Sequence, residues 1–509
     1  VTALLTRLAA RVKRMVSWLR NLRTRINRAM GARYAPWKLA LLFAMLTVLF
    51  IGLQLFVPPY IGSANDGSFD TVMQDVGLAR LTPDDDDAYF NYYEREYRLA
   101  DYPAHSMTTP LALRASAGLA IAVDRWFTGD ERFDMRVLAL LYCLLYVPAV
   151  FLVTRFAMRR VQTFTEGVLV GVLSLLVFAD VSLVSRFPSL YVQPLILISL
   201  LYMAGMLILL CESPKAWPMA GLLAALMVLL SADPYAGAAA FVLSIFLLVL
   251  LTRRRGMVVR LFCIVGALCI GIMGFAALMS AQKTVTLTQK YNAMARGILL
   301  KSSQPEETLA EFGIDPRYSI VTDTYADQNY PLALVDASAL QTGFFDHYNT
   351  GLILSYYIRH PGSLIGMLDA GVGISAETRP SYNGNYEKST GKPEMAQARF
   401  LALWSSLKSQ ATPRTVGLLL VLGLAILFVY RGPKNKLEAP GKRTLNPYRA
   451  AMLSLLLFEL VHMATVIVYS GDAEMMREAF VMSILNDVLF LWVFSEVLHR
   501  LNRMGLEEA

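Results

Sequence analysis

Residues 39–70 read LALLFAMLTVLFIGLQLFVPPYIGSANDGSFD. The first part, Leu39–Val57, carries no charged side chain. It is long enough to cross the hydrocarbon core of a bilayer, which takes about 20 mostly apolar residues. The run ends at Pro58 and Pro59 and passes straight into Ser63, Asn65, Asp66 and Asp70. A membrane span followed at once by a polar turn and two carboxylates places those acids at a membrane surface.

The same kind of run recurs along the chain. Val137–Phe156, Gly167–Val184, Tyr191–Cys211, Trp217–Leu230, Tyr235–Leu251, Met257–Ser280, Val416–Tyr430, Ala450–Tyr469 and Ala479–Leu498 are all predominantly apolar. Composition agrees: 56% of the 509 residues are hydrophobic and 17% are charged, against about 25% charged in soluble domains. Mean hydropathy is +0.46. The expected fold is an all-α polytopic membrane protein with about ten transmembrane helices.

Charge sets the orientation. Cytoplasmic loops carry an excess of Lys and Arg. If the strongly basic first 38 residues are inside, alternation puts Arg155, Arg159 and Arg160, Lys215, Arg253–Arg255, Arg431–Arg443, and Arg500 and Arg503 inside as well. The opposite ends hold acidic or mixed segments: Asp66–Arg132, Arg186, Asp233, Lys283–Pro413 and Asp472–Glu478. Both termini are therefore expected to be cytoplasmic. The net charge of +8 is spread along one membrane face. That distribution argues for contact with anionic lipids and against a nucleic-acid partner.

Cys143, Cys211, Cys263 and Cys269 lie in or at the ends of apolar runs, so no structural disulfide is expected, and no Cys/His spacing resembles a zinc site. Before the first span, Leu5, Leu8, Val12, Met15, Leu19, Leu22 and Ile26 recur at helical spacing among many arginines. This reads as a basic amphipathic helix lying on the inner leaflet.

The chain then divides into 1–37, the N-terminal helix; 38–58, the first span; 59–136, a first outer loop; 137–280, spans two to seven; 281–414, a large outer loop; and 415–509, spans eight to ten with a cytoplasmic tail. Long loops without a task are uncommon. The first outer loop is patterned for a short helix around Phe69–Leu78 and a second over about Pro110–Phe127, both suited to the membrane interface.

A helix starting near Asn65 would put Asp66 and Asp70 on one face. Either carboxylate could then act as a general base towards an acceptor hydroxyl; helix capping by Asn65 or Asp66 is the plainer reading. Asp84–Asp87 reads as a solvated turn or, alternatively, as a weak divalent-cation site. His105 could shuttle protons or bind phosphate, or be a surface histidine. Arg114, Arg186 and Arg477 fall on the outer side, where a planar guanidinium suits phosphate or snorkels to lipid headgroups. Tyr191 and Gln193 follow Arg186 at a span entrance. In the last outer loop, Asp472, Glu474 and Arg477 are crowded near membrane depth, with a local Glu474–Arg477 ion pair as the simpler account. Asp180 and Asp233 sit near outer span ends in the same way. No glycine-rich phosphate loop, Walker motif or G-x-S-x-G elbow is present.

These features resemble the GT-C superfamily of glycosyltransferases, multi-span enzymes that use polyprenyl-phosphate sugars and carry an aspartate in a first outer loop with two juxtamembrane helices. Asp66 matches that aspartate, and TTPLALR (108–114) follows where a proline-containing segment is common. The chain is closest in its motifs to bacterial glycan hexosyltransferases of the WsfD-like kind. The matching stretches are NDGSF (65–69), RFPSLYVQP (186–194), KYNAMARGILLKSSQPEETLAEFGI (290–314), YYIRHP (356–361), NGNYEKSTGKPEMAQARFLALWS (383–405) and GDAEMMREAF (471–480). One departure is the spacing of Asp66 and Asp70, since many eukaryotic relatives have adjacent acids.

The resemblance implies inverting transfer of a sugar from a polyprenyl-phosphate donor to a cell-surface glycan or glycoconjugate. Asp66 would be the base, outer arginines would hold the phosphate, and Asp70 with Asn385, Tyr386, Glu387 and Lys388 would position sugars. Tyr291 lies in the most specific matching stretch and joins the binding residues. Tyr89, Tyr92, Tyr93 and Tyr97 would stack on sugars or pack the outer loop. The reading names no definite cofactor and leaves a divalent cation open. A transporter or flippase for lipid-linked glycans is the alternative. It calls for polar groups at mid-membrane depth, whereas the spans read as mostly apolar at their centres.

Overall fold

The computed structural model describes residues 14, 17–18, 21–30, 35–82, 89–103, 105, 107–251, 257–326, 338–379, 381–430 and 446–507. Asp84–Asp87, Arg253–Arg255, Arg431–Arg443 and the larger part of the basic N-terminal helix lie outside these residues.

The protein is predominantly helical. Seven helices are long and apolar enough to cross a membrane: Pro36–Leu55, Met135–Arg160, Phe164–Val184, Gln193–Glu212, Met257–Lys283, Pro447–Ser470 and Met475–Arg503. These are the elements of an integral membrane protein. Ala216–Ala232, Ala236–Val249 and Gly417–Val429 are shorter apolar helices. They coincide with three further runs expected from the sequence, so every expected run is helical.

Gln193–Glu212 is the most enclosed of the long helices and Met257–Lys283 the least, with 89% and 33% of their most apolar windows buried. The peripheral helix is held by close backbone approach to its neighbour Ala236–Leu251. A Cβ on Gly237 would come within 2.6 Å of Gly274 O, and a Cβ on Gly274 within 2.6 Å of Gly237 O. Small residues at such a crossing replace a hydrophobic driving force that lipid does not supply.

One end of the bundle gathers basic groups. Arg159 bonds Glu212 at 2.5 Å and Arg160 bonds Glu496 at 3.0 Å. The helical stretch 21–30 docks there through Asn27, whose amide exchanges two hydrogen bonds with Thr165. Trp18, Leu22, Ile26 and Met30, spaced by four, stay exposed.

The segment between Leu55 and Met135 corrects the all-α expectation. Leu78–Arg80, Glu96–Leu99 and Arg132–Asp134 form a three-stranded antiparallel sheet, β1-β2-β3. Leu78, Tyr97 and Phe133 are buried, and Arg80 pairs with Glu94 just before β2. Strands of three or four residues are too short to show a period-two pattern in the sequence.

Two expected helices flank this sheet. Leu111–Thr128 buries Leu113, Ala117, Ala120 and Asp124 and leaves Leu111, Leu119, Val123, Trp126 and Phe127 exposed, which suits a helix at the lipid interface. The other helix is Phe69–Val76. It starts at Phe69 rather than near Asn65, so Asp66 precedes it and Asp66 and Asp70 do not share a helical face.

The segment between Lys283 and Gly417 alternates short helices with irregular stretches among the described residues and folds back onto the segment between Leu55 and Met135. Gly62 N donates to Asn385 O and Ala64 N to Gly384 O, both at 3.0 Å, and Ile61 bridges Tyr386. Gly384 has no room for a side chain: a Cβ there would lie 2.1 Å from Asn91 O.

Candidate functional site

The stitched segments bring residues 62–70 against the turn after Val184 and against residues 378–386. Three hydrogen bonds fix the junction: Ser63 Oγ to Ser185 O at 3.1 Å, Tyr191 OH to Ala64 O at 2.7 Å, and Asn383 Nδ2 to Tyr191 OH at 3.0 Å. Phe69 packs edge-on against Tyr191, with ring centroids 4.6 Å apart.

Asn65 organises the turn. Its Oδ1 accepts from Gly67 N at 2.8 Å and Phe69 N at 3.2 Å, and its Nδ2 donates to Asp70 at 3.2 Å. Ser68, not Asn65 or Asp66, occupies the N-cap position of Phe69–Val76 and makes no side-chain cap; Asn65, further upstream, accepts from the first helical N–H, that of Phe69. Asp70 also accepts from Tyr89 OH at 2.7 Å; this bond, followed by the carboxylate's charge, raises the Tyr89 phenol. Asp70 is committed to local structure. Asp66 is exposed. Its Oδ1 accepts from Ser68 N at 3.0 Å and Ser68 Oγ at 2.6 Å, while Oδ2 accepts no hydrogen bond among the described residues.

Arg186 faces this turn. Its Nη2 donates to Thr378 O at 2.6 Å, and its guanidinium lies 4.8 Å from the centre of the Phe480 ring. Its Nη1 is buried without a partner among the described residues. Burial pulls the guanidinium down to about 10, with Arg379 adding like-charge repulsion, against the opposing influence of Tyr191, Tyr382 and Asp66. Arg186 remains charged at neutral pH. Burial and the charge of Asp66 both raise Tyr191 and Tyr382. The result is an exposed carboxylate within electrostatic reach of, but not ion-paired with, a partly buried cation whose enclosed Nη1 still has N–H groups to give. Gln193 and Asn383 each also keep a buried side-chain oxygen without a partner.

The other expected residues divide into groups. Asn385 latches the two segments, donating to Gly62 O at 2.8 Å and accepting from Ala398 N at 3.1 Å. Tyr386 lies in the bridge to Ile61. Glu387 reaches Arg95 at 3.4 Å, and Arg95 in turn holds Glu96 at 2.6 Å. Lys388 is exposed at the start of the turn Lys388–Thr390. Tyr93 and Tyr97 are buried and pack the outer loop, whereas Tyr89 is exposed.

His105 bonds Asp75 at 2.8 Å, and Asp75 also accepts from Thr108 N and Thr109 N. Burial raises the Asp75 carboxyl, but the bonds from Thr109, His105 and Thr108 outweigh it and leave it at about 2. His105 itself is raised by its bonds to Pro103 O and Asp75. Arg114 contacts Met107.

A further group joins residues 291–324 to the loop before the last helix. Arg296 grips Asp472 through two bonds of 2.8 and 2.6 Å and also meets Asp323. Tyr291 OH bonds Thr324 Oγ1 at 2.6 Å. Glu474 and Arg477 form the anticipated ion pair at 2.9 Å. Asp180 caps the short helix Val181–Val184 and accepts from Ser405 N at 2.8 Å.

Several functional candidates were not picked out from the sequence. Thr378, Arg379, Tyr382 and Asn383 join the Asp66 site only through the fold. Glu459, His462 and Asp487 are different: each is an ionisable residue inside an apolar run, a signal that could have found them. They also correct the expectation that the spans are apolar at their centres. Lys408 Nζ donates to Asp487 Oδ1 at 2.8 Å, Ser483 Oγ at 2.8 Å and Ser483 O at 2.9 Å. Glu459 is fully buried, and both of its carboxylate oxygens lack a hydrogen-bond partner among the described residues.

Comparison with curated proteins gives no match. A family model described as the YfdI N-terminal transmembrane domain matches residues 24–508, nearly the whole chain and both sides of the Asp66 junction, so this protein belongs to that transmembrane-domain family.

Proposed function

We propose that the protein is an integral membrane glycosyltransferase of the GT-C type. It moves a sugar, a hexose by its resemblance to the WsfD-like enzymes, from a polyprenyl-phosphate carrier to a hydroxyl of a cell-surface glycan or glycoconjugate. The observation that supports this most is the exposed Asp66 carboxylate within electrostatic reach of Arg186, a partly buried guanidinium whose enclosed Nη1 has no partner among the described residues.

In this mechanism Asp66 accepts the proton of the acceptor hydroxyl. The oxygen attacks the anomeric carbon from the face opposite the phosphate, and the bond from that carbon to the phosphate oxygen breaks. The configuration inverts, and polyprenyl phosphate leaves with the electron pair. Arg186 and Arg379 stabilise the charge growing on the phosphate. Preorganised donors are most effective where water is excluded.

The distribution of Lys and Arg supports ten spans with both termini cytoplasmic. A bacterial inner membrane, with the site on the periplasmic or extracellular face, suits a polyprenyl donor. Anionic lipids would meet the basic end.

Purified protein in detergent, mixed with undecaprenyl-phosphate hexoses and membrane glycan extracts, tests the proposal. Wild type should release polyprenyl phosphate, and Asp66→Asn should not. Intact donor with a well-folded wild-type protein sinks it.

A second reading, transport or flipping of lipid-linked glycans, draws support from the ionisable groups Lys408, Glu459 and Asp487 inside the bundle. A transporter should tolerate Asp66→Asn and lose flipping in Glu459→Gln.

A further inference from the structure

A second cluster of ionisable groups lies on the other outer junction. Asp233 caps the end of Ala216–Ala232, His462 lies on Pro447–Ser470, and Glu478 is in the first turn of the last helix. All three are buried, at 2%, 0% and 3% exposure. His462 Nε2 is 2.7 Å from Asp233 Oδ2 and 3.8 Å from Glu478 Oε2. One ligand atom from each lies within 4.8 Å of the others. Glu478 Oε1 accepts from Arg477 Nε at 2.8 Å, whereas Oε2 points into the cluster with no hydrogen-bond partner among the described residues.

We propose that Asp233, His462 and Glu478 bind one divalent first-row transition-metal cation, of the Mn2+ or Zn2+ class. The reasoning begins with donor arithmetic. A single Nε2 faces two carboxylate oxygens and carries at most one proton. Whatever the tautomer, it can satisfy only one of them. The bond to Asp233 leaves Glu478 Oε2 buried, unsatisfied and beside a second carboxylate, which is costly in a low dielectric.

Charge gives the same answer. Asp233, Glu474 and Glu478 supply three negative charges and Arg477, shared between Glu474 and Glu478, one positive. With neutral His462, the excess is the charge of one divalent ion. Imidazole with two carboxylates is a borderline donor set suited to these metals. Ligand bonds of about 2.0–2.2 Å would require the 2.7 Å contact to widen and the 3.8 Å contact to close. Arg477 orients Glu478 from outside, as partners of metal ligands do. The Arg477 side chain is 53% exposed, so the site lies one side chain from the surface.

Such an ion would pin three helices together. One of them carries Phe480, on which Arg186 stacks. The inference does not rest on the catalytic reading of Asp66.

The test uses the full chain, stripped with chelator and dialysed against Mn2+ alone and, separately, Zn2+ alone. Wild type should retain one equivalent of metal. Bound Mn2+ should show nitrogen hyperfine coupling from imidazole in pulsed electron paramagnetic resonance. Glu478→Gln should lose affinity by at least about tenfold, His462→Gln should lose the nitrogen coupling, and Asp66→Asn should match wild type. Of the five histidines, only His462 belongs to this cluster. If His462→Gln does not fold, Glu478→Gln and the wild-type spectrum decide. Failure of folded wild type to retain either metal overturns the proposal, as do Mn2+ binding without nitrogen coupling and full affinity in Glu478→Gln. The carboxylates would then be matched by a shared proton instead.

Discussion

The junction around Asp66 and the seam around Lys408 hold the same kinds of groups in opposite states. Lys408 and Asp487 have side chains only 6% and 5% exposed, and the ammonium spends all three of its donors on Ser483 and Asp487. That cation is fully employed inside the protein. Arg186 is only partly buried, yet its enclosed Nη1 has no partner among the described residues, and Asp66, whose charge it feels, is open to water. A cation with every donor satisfied holds structure. A cation with an idle donor beside an accessible carboxylate is arranged for something that arrives later.

The sharpest way to break this contrast is Asp66→Asn. Transfer should fall by about 10²–10⁴-fold, the range for loss of a general base, with the melting temperature in detergent unchanged because the carboxylate is exposed. A large drop in melting temperature would make Asp66 structural. Lys408→Met should do the reverse. Removing one partner of a buried pair costs about 3–5 kcal/mol, visible as a lowered melting temperature even if the surviving folded fraction keeps its activity per molecule.

Arg186→Lys keeps the charge but loses the planar fork. It should raise the KM for the polyprenyl-phosphate donor more than it lowers kcat, with little change in stability. An unchanged KM would remove the phosphate from this site.

Glu459→Gln discriminates the two functional readings. Replacing an unpaired buried carboxylate by a neutral amide should leave transfer intact and raise thermal stability slightly. Loss of function with stability retained would favour transport.

The smallest effect is expected at His105. Its raised pKa contributes stability in full below its unfolded value, near 6.5, and this is lost as pH rises through the folded value. The depressed Asp75 contributes above its unfolded value, near 3.9, and this is lost as pH falls towards about 2. His105→Ala should therefore lower the melting temperature most between about pH 4 and 6.5 and least in alkaline buffer. A difference independent of pH would assign His105 a packing role only.

Much of this molecule is legible in one dimension. Runs such as Leu39–Val57 and Ala450–Tyr469 can only be membrane helices, because lipid leaves the backbone no other partner than itself. The helix Leu111–Thr128 was readable from its apolar spacing. Glu459, His462 and Asp487 were readable too, as costly charges in apolar surroundings.

The sequence could not show that Asn385 would close over Gly62, that Tyr191 would reach Ala64, or that one nitrogen of Arg186 would be enclosed and unmatched. Nor could it separate Asp66 from Asp70. Both acids stand in the same short polar stretch, and Tyr89, nineteen residues beyond Asp70, takes one of them. Local composition fixes which segments must leave water, since that depends on each residue's own solvation. Which charges are left unsatisfied depends on donors from distant segments, and only the tertiary structure brings those donors into reach.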